Sequence, residues 1–377
     1  MVVSLDQLMY PFSIALLLTL GVCVCVIVIL YRKLQAQALP TYQRPIVELN
    51  LPDPNDVLKF RQTDESLITE KELDEQEIDH DPVLTNATFH KFVPKQFVHH
   101  FSKEGKQQLE LGQADEDDVA ILFCDIRGFT TLSETMLPQE LMNFLNSYFL
   151  RMSEPIHRHG GFIDKFIGDA IMALFDHPGG SSRAKALDAL QAAIDLRKTI
   201  YIYNQHRSNS GYPPIDIGIG IHFGPVILGT IGSHVRMDTT VIGDSVNIAY
   251  RLETLTPCYN VNIIVSSQLL NTSEAKHRYT HRLLDWVRVK GKKNPVEVYE
   301  VLAHLPEHEQ KQKLSTAPLI EAGIAARKLR DWDTAIAHFS EAQLLDKHDK
   351  VLQHHLTQCH TLRKMALPED WDGSLIM

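Results

Sequence analysis

The stretch Ile121-Leu122-Phe123-Cys124-Asp125-Ile126-Arg127-Gly128-Phe129-Thr130 runs apolar residues straight into one carboxylate and then into a glycine-containing turn. A second carboxylate with similar framing follows in Phe166-Ile167-Gly168-Asp169-Ala170-Ile171-Met172. Aspartates are seldom buried unless they are paired or bound to a metal. Two of them at neighbouring strand ends would suit a two-metal site for phosphoryl chemistry, because cations offset both their repulsion and their desolvation. Two unrelated strand-end aspartates, each capping its own turn, would leave the same trace, and either one alone favours that plainer reading.

Further residues add weight. Lys165 lies inside the apolar run Gly161-Phe162-Ile163-Asp164-Lys165-Phe166, where a lone lysine is usually an edge or snorkelling residue. Thr240 stands in Thr239-Thr240-Val241-Ile242-Gly243-Asp244, a strand leading to a glycine turn. In the helix that follows, Asn247 and Arg251 are four apart and share a face. A neutral donor beside a guanidinium can clamp a developing phosphorane, although a surface arginine with a capping asparagine is also plausible. The turn after Asp125, with Phe129 and Thr130, offers exposed N–H groups to phosphate oxygens.

The elements that must position these residues alternate between strand and helix over Val119 to Leu302. Val119 to Asp125 reads as a buried strand and Pro138 to His157 as an amphipathic helix. Gly161 to Phe175 reads as a hairpin turning at Ile167-Gly168-Asp169. Ser182 to His206 is an alanine-rich helix. Asp216 to Phe223 alternates isoleucine with glycine, so backbone or a ligand approaches closely there. A strand over Met237 to Ile242, a helix over Asp244 to Leu255 and a closing hairpin around Gly291 complete the pattern. The expected fold class is α+β, a mostly antiparallel sheet with helices on one side.

Composition frames the rest. The net charge of −10 argues against nucleic-acid binding, and much of it comes from eleven acidic residues between Asp53 and Asp81. The five cysteines include no CxxC pair, so neither a disulfide framework nor a zinc site is suggested. Pro11 to Leu30 is uncharged over twenty residues and is followed by Arg32-Lys33. That predicts a membrane-spanning helix over residues 11–31, with a short extracytoplasmic N-terminus over 1–10 and the remainder cytoplasmic at the inner membrane. A cleaved signal peptide ending near Ala36-Gln37-Ala38 is the rival reading, disfavoured by an n-region without positive charge. Residues 32–84 read as an acidic, proline-rich linker and 85–112 as a pre-catalytic helical segment. The main domain is expected over 113–304. Residues 315–366 read as a short all-α, tetratricopeptide-like tail, open to a protein partner.

The ordered set of motifs from Phe89 to Leu302 resembles the class III nucleotide cyclases, and among them bacterial adenylate cyclases with a membrane-anchored catalytic domain. The resemblance implies a ferredoxin-like catalytic core that works as a homodimer with two shared sites. It implies that Asp125, Asp169 and Ile126 hold two Mg²⁺ or Mn²⁺ ions per site, and that Lys165 and Thr240 read adenine. It implies that Asn247 and Arg251 stabilise the transition state, and that Lys290, Phe129 and Thr130 bind the triphosphate. Within each site the metal aspartates would come from one chain and Lys165, Thr240, Asn247, Arg251 and Lys290 from the other. The reaction so implied turns ATP into cyclic AMP and pyrophosphate. A guanylate cyclase and a catalytically silent nucleotide-binding scaffold are the alternatives; a diguanylate cyclase fits less well.

Overall fold

A computed structural model describes Pro94 and residues 111–376, except 178–179, 234–235 and 289–293. These residues belong to one compact unit. The chain opens with β1 (Ala114–Ile126), α1 (Phe129–Glu134), α2 (Pro138–Arg158), β2 (Phe162–Ile167), β3 (Ala170–Phe175) and α3 (Ser182–Asn209). It continues with β4 (Ile217–Gly232), β5 (Met237–Ile242), α4 (Asp244–Tyr259), β6 (Ile263–Ser266), α5 (Ser267–Ser273), β7 (His281–Arg288) and β8 (Val296–Val301). Three helices, α6 (Glu307–Lys328), α7 (Trp332–Leu345) and α8 (Lys350–Leu362), and a short β9 (Leu375–Ile376) close it.

The described strands form one sheet in the order β2-β3-β1-β4-β6-β8-β7-β9, with β5 paired to β4. The first four strands and α2 and α3 trace β-α-β-β-α-β with strand order β2-β3-β1-β4, the ferredoxin-like arrangement. β4 pairs with β6 in parallel, and β7 with β9, so the sheet is mixed.

Local chemistry explains the elements nearest the site. β1 alternates in burial over its acidic first half and is almost wholly buried from Val119 onward, where the sheet is covered on both sides. Pro138 occupies the first turn of α2, where its missing N–H costs nothing, and the Glu140 carboxylate accepts the Leu137 N–H at 3.0 Å. Phe144, Tyr148, Met152 and Ile156 then repeat every four residues on the buried face of α2. The Ser181 hydroxyl caps α3 by accepting the Ala184 N–H at 3.2 Å.

The two faces of the sheet carry different helices. Ala120, Leu122, Cys124 and Ile126 of β1 pack with α2, α3 and α5. Val119, Ile121 and Phe123 point the other way, together with Val226, Val241 and Ala249 of α4. This corrects the expectation of helices on one side. The missed cue was the Ile-Gly alternation of β4, whose isoleucines 217, 219 and 221 feed the first core. Its glycines on the other face let α4 lie directly on the strand. A Cβ on Gly220 would come within 2.1 Å of the Glu253 nitrogen and 2.6 Å of the Ala249 carbonyl oxygen. On Gly218 it would come 2.1 Å from the Thr256 hydroxyl. What approaches the backbone there is a helix.

The C-terminal helices correct a second expectation. A tetratricopeptide-like tail is not what the structure contains. α6 starts at Glu307, eight residues before the expected start of the tail at 315, and Pro318 sits inside the helix. Its first half is held to the sheet: Lys313 lies 3.3 Å from Glu300 of β8, and the Thr316 hydroxyl accepts from Arg282 of β7 at 3.0 Å. Ile320, Ile324, Phe339, Val351 and Leu352 share one core with Leu252 and Leu255 of α4, Ile264, Leu284, Val287 and Val298. The apolar surface that would stack a neighbouring repeat or greet a protein partner is therefore used inside the unit. Under it lies a buried polar network. Asp285 is paired with Arg327 of α6 and accepts the Tyr259 hydroxyl at 2.5 Å, while the His355 ring stands 3.9 Å away. Burial, only partly offset by Asp285, pushes His355 down to about 4, so it is neutral.

The membrane anchor is the third correction. Among the described residues no helix is long and apolar enough to cross a membrane. The span expected over 11–31, the N-terminus over 1–10, the linker over 32–84 and nearly all of the segment over 85–112 lie outside the described residues. Membrane anchoring and an inner-membrane location are accordingly dropped.

Two substitutions test this packing. Gly220→Ala meets backbone rather than a flexible side chain, and we expect a loss of about 1–3 kcal/mol, read as a lower denaturation midpoint in urea. Arg327→Met strands the buried Asp285 carboxylate and should cost about 3–5 kcal/mol, part of it recovered by adding Asp285→Asn. Equal stabilities of the single and double variants would rule out the pairing argument.

Candidate active site

Asp125 is the penultimate residue of β1, and it faces the side on which α4 lies, opposite Gly218 of β4. Asp169 sits in the tight turn between β2 and β3, where Gly168 takes φ 64°. Because β3 pairs with β1, the turn returns beside the end of β1. The Ile126 N–H then points to both carboxylates, 3.0 Å from Asp125 Oδ1 and 3.2 Å from Asp169 Oδ2. The structure thus brings together the two aspartates that the sequence leaves about forty residues apart. Gly128 follows at φ 67° as the residue before α1, a left-handed conformation that favours glycine. Phe129, half-buried against the core, and exposed Thr130 form the first turn of α1.

The pair is electrostatically strained. Burial first, then the neighbouring Asp125 carboxyl, push Asp169 up to about 7. A third carboxylate lies close. Glu253 of α4 is buried, and burial together with the charge of Asp125 raises it to about 7 as well. Arg127 partly offsets that shift. Arg127 is itself anchored, with Nε 3.3 Å from Asp216 and Nη2 donating to the Val261 carbonyl. Among the described residues no group of three or more His, Cys, Asp or Glu side chains is arranged to hold a metal ion. The pair Asp125 and Asp169 still fits a divalent cation on its own chemistry. It is a set of acceptors crowded around one N–H donor, with one carboxyl so destabilised as an anion that it is partly protonated at neutral pH.

Lys165 and Thr240 form a second cluster. Lys165 projects from β2, next to a register shift between Ile163 and Lys165, and Thr240 from β5. Although 75 residues apart, they are joined by a hydrogen bond of 2.8 Å from Lys165 Nζ to Thr240 Oγ1. Asp164 lies beneath, its side chain fully buried, 3.4 Å from the lysine and raised to about 6 chiefly by burial. Asn247 and Arg251 both lie on α4 and are exposed. The Arg251 guanidinium stands 5.9 Å from the Tyr250 ring centroid and carries no intrachain ion pair among those described. Lys290 lies outside the described residues.

Reading the sequence missed Glu253 and Asp164. Glu253 had a signal: it stands two residues after Arg251, on a helix that crosses a glycine-lined strand. Asp164 had none, since its neighbour Lys165 accounts for its polarity in an edge strand. The lone cysteine of the site strand is inert. Cys124 is fully buried, 3.6 Å from the Tyr148 hydroxyl, and burial pushes its thiol up to about 12.

Comparison with known proteins adds lineage to geometry. Residues 111–303 match the model of the adenylate and guanylate cyclase catalytic domain, which covers half of the chain. The chain is 43% identical over 224 residues to an adenylate cyclase of Anabaena cylindrica, across 58% of this chain and 43% of the relative. It is 33% identical over 272 residues to the terminal-differentiation-specific adenylate cyclase of Dictyostelium discoideum, across 71% of this chain and 12% of the relative. The chain thus spans less than half the length of these relatives. The structure of a bacterial light-regulated adenylyl cyclase superposes with a TM-score of 0.51 at 25% identity, covering 61% of this chain and 65% of that one. Family membership implies metal-dependent catalysis. The extent of the domain match, together with the strand-end carboxylates, makes this chain a member of the adenylate and guanylate cyclase catalytic-domain family, the class III nucleotide cyclases, with a catalytic domain of the adenylate-cyclase type.

Proposed function

We propose that this protein converts ATP to 3′,5′-cyclic AMP and pyrophosphate at sites shared between two copies of the chain. The observation that carries the reading is the convergence of Asp125 and Asp169 on one backbone N–H, beside the left-handed Gly128 turn. Asp125 and Asp169, with the Ile126 backbone, would hold two Mg²⁺ or Mn²⁺ ions. When bound, those ions supply acidity to the ribose 3′-hydroxyl and countercharge to the triphosphate.

The chain's own residues take the other tasks. Phe129, Thr130 and the turn before them present N–H groups to phosphate oxygens. Lys165 donates to adenine N1, and Thr240 accepts from the adenine amino group. Their mutual hydrogen bond supports this assignment, because it already sets the lysine and the hydroxyl side by side. Guanine offers a donor where adenine N1 accepts, so a wrong base would leave buried groups unpaired. Arg251 and Asn247 steady the charge that builds on the α-phosphate, and Lys290 binds the triphosphate.

Two further observations support a homodimer. Asn247 and Arg251 are exposed, with no intrachain polar partner described for either side chain. On β4 and β5, the strand pair that carries Thr240, Ile227, Ile231, Met237 and Ile242 expose apolar side chains. A band of that kind marks an interface more often than a free surface. A guanylate cyclase is the remaining enzymatic alternative, and it is weakened by a lysine at position 165.

Purified full chain with ATP and Mg²⁺ or Mn²⁺ should form cyclic AMP and should prefer ATP in competition with GTP. Asp125→Ala and Arg251→Ala should each lower the rate by about 10²–10³-fold or more. An equal mixture of the two, allowed to exchange chains, should recover about a quarter of the parental rate, since half the dimers carry one intact site of two. No recovery in verified heterodimers would sink the shared site.

The crowded carboxylates give a separate test. A carboxyl group raised in the folded state contributes most to stability when protonated. That contribution is complete below the ordinary carboxyl range and is lost as pH rises through about 7. In chelator-containing buffer, the Tm advantage of Asp169→Asn over the parent should therefore grow by about 2 °C or more from pH 5 to pH 8. Saturating Mn²⁺ should reverse it by stabilising the parent alone. A pH-independent difference would mean that the two carboxyls do not strain each other.

A further inference from the structure

A cleft lies away from the carboxylates, between α1–α2 and the C-terminal end of α3, with a volume of about 490 Å³. That is within the range of small-molecule sites, roughly 300–1,000 Å³. Two guanidinium groups line it. Arg207 is almost wholly buried, and its Nε donates to the Pro213 carbonyl at 2.8 Å, yet Nη2 is buried without an acceptor. Arg151 donates from Nη1 to the Ser147 carbonyl at 2.9 Å and to its hydroxyl at 2.7 Å. Both serine atoms lie on its own helix, one turn back. Neither arginine takes part in an ion pair among those described, and the one carboxylate in the lining, Glu140, is turned to the Leu137 N–H at 3.0 Å.

Burying a cation without a counterion is costly, and here aromatic faces bear part of that cost. The Arg207 guanidinium stands 4.9 Å from the Phe144 ring centroid, 5.7 Å from Tyr203 and 5.6 Å from Tyr212. Arg151 stands 4.9 Å from Tyr203. The cleft therefore pairs two planar, forked donors with a lining of ring surfaces. A guanidinium fork matches a carboxylate in a bidentate pair, and flat rings match a flat apolar body. Phosphate is a poorer fit. The N-terminal turn of α2, which could have offered it N–H groups, is already capped by the Glu140 carboxylate, and that negative charge lies on the cleft's rim.

We infer that the cleft between α1–α2 and α3 binds a small organic monocarboxylate with a flat apolar body, its carboxylate on Arg207 and Arg151 and its body among Phe144, Tyr203 and Tyr212. Leu132 of α1 and Met136 of the α1–α2 connection form another part of the lining, so the occupant rests on the helix whose first turn holds Phe129 and Thr130. The inference stands apart from the proposed reaction, because its readout is binding alone.

The test is calorimetric titration of the full chain with benzoate and, separately, with inorganic phosphate. Parallel titrations use Arg151→Gln and Arg207→Gln chains whose circular dichroism matches the parent. The expected result is saturable benzoate binding at one site per chain, at least tenfold tighter than phosphate and at least tenfold weaker in both variants. If Arg207→Gln fails to fold, Arg151→Gln decides alone, since its hydrogen bonds stay within α2. Absence of saturable benzoate binding, binding unchanged by Arg151→Gln, or phosphate binding as tightly as benzoate would each overturn the inference.

Discussion

Everything near the candidate site depends on how closely α4 approaches β4. Gly218 and Gly220 remove two side chains from the strand face, and α4 fills the space, with Thr256 and Glu253 side chains over Gly218 and helix backbone over Gly220, the nearest atom at each 2.1 Å from where a Cβ would stand. That contact places Asn247 and Arg251 on a helix fixed against the centre of the sheet. It also drives Glu253 toward Asp125, raising the glutamate by burial and charge. A single methyl group on the strand would have to move the helix axis, since packed backbone does not yield as a flexible side chain does.

The same helix is held at its other end by the C-terminal segment. Tyr259, the last residue of α4, donates to Asp285, and Asp285 is paired with Arg327 of α6. A buried ion pair adds little net stability over an apolar replacement, but it is costly to break. Its value here is positional: it joins the end of α4, strand β7 and helix α6 in one buried network. Arg282 extends that network to Glu300 and Asp349, so α8 is tied to the same strands. The C-terminal helices thus act as a third wall of the domain, their shared apolar face spent on the sheet and α4.

The two chemistry-bearing clusters are arranged differently. Asp125 and Asp169 meet because neighbouring antiparallel strands end together, with a left-handed glycine beside each. Lys165 and Thr240 meet although their strands do not pair, since β2 and β5 are separate elements of the sheet joined here only by side chains. In both cases polar groups are held where burial makes their free charge expensive, and a substrate or cation of opposite character would relieve that cost.

Much of this was legible in the amino-acid order. The buried strand ending at Asp125, the hairpin turning at Gly168 and the helix carrying Asn247 and Arg251 follow from local periodicity and turn chemistry, which depend only on near neighbours. The ordered motifs that resemble class III cyclases were visible for the same reason. Three things were decided by tertiary structure alone. The glycines of β4 marked a close approach, but only the fold shows that a helix fills it from the far face. The helical periodicity of the C-terminus resembled a repeat, because an amphipathic face looks the same whether it stacks on a copy of itself or on a sheet edge. The strained carboxyl pair, the buried Glu253 and the two arginines held against aromatic rings are products of packing. Residues far apart in sequence share low-dielectric surroundings there, and no reading of spacing can supply the distances that set their charges.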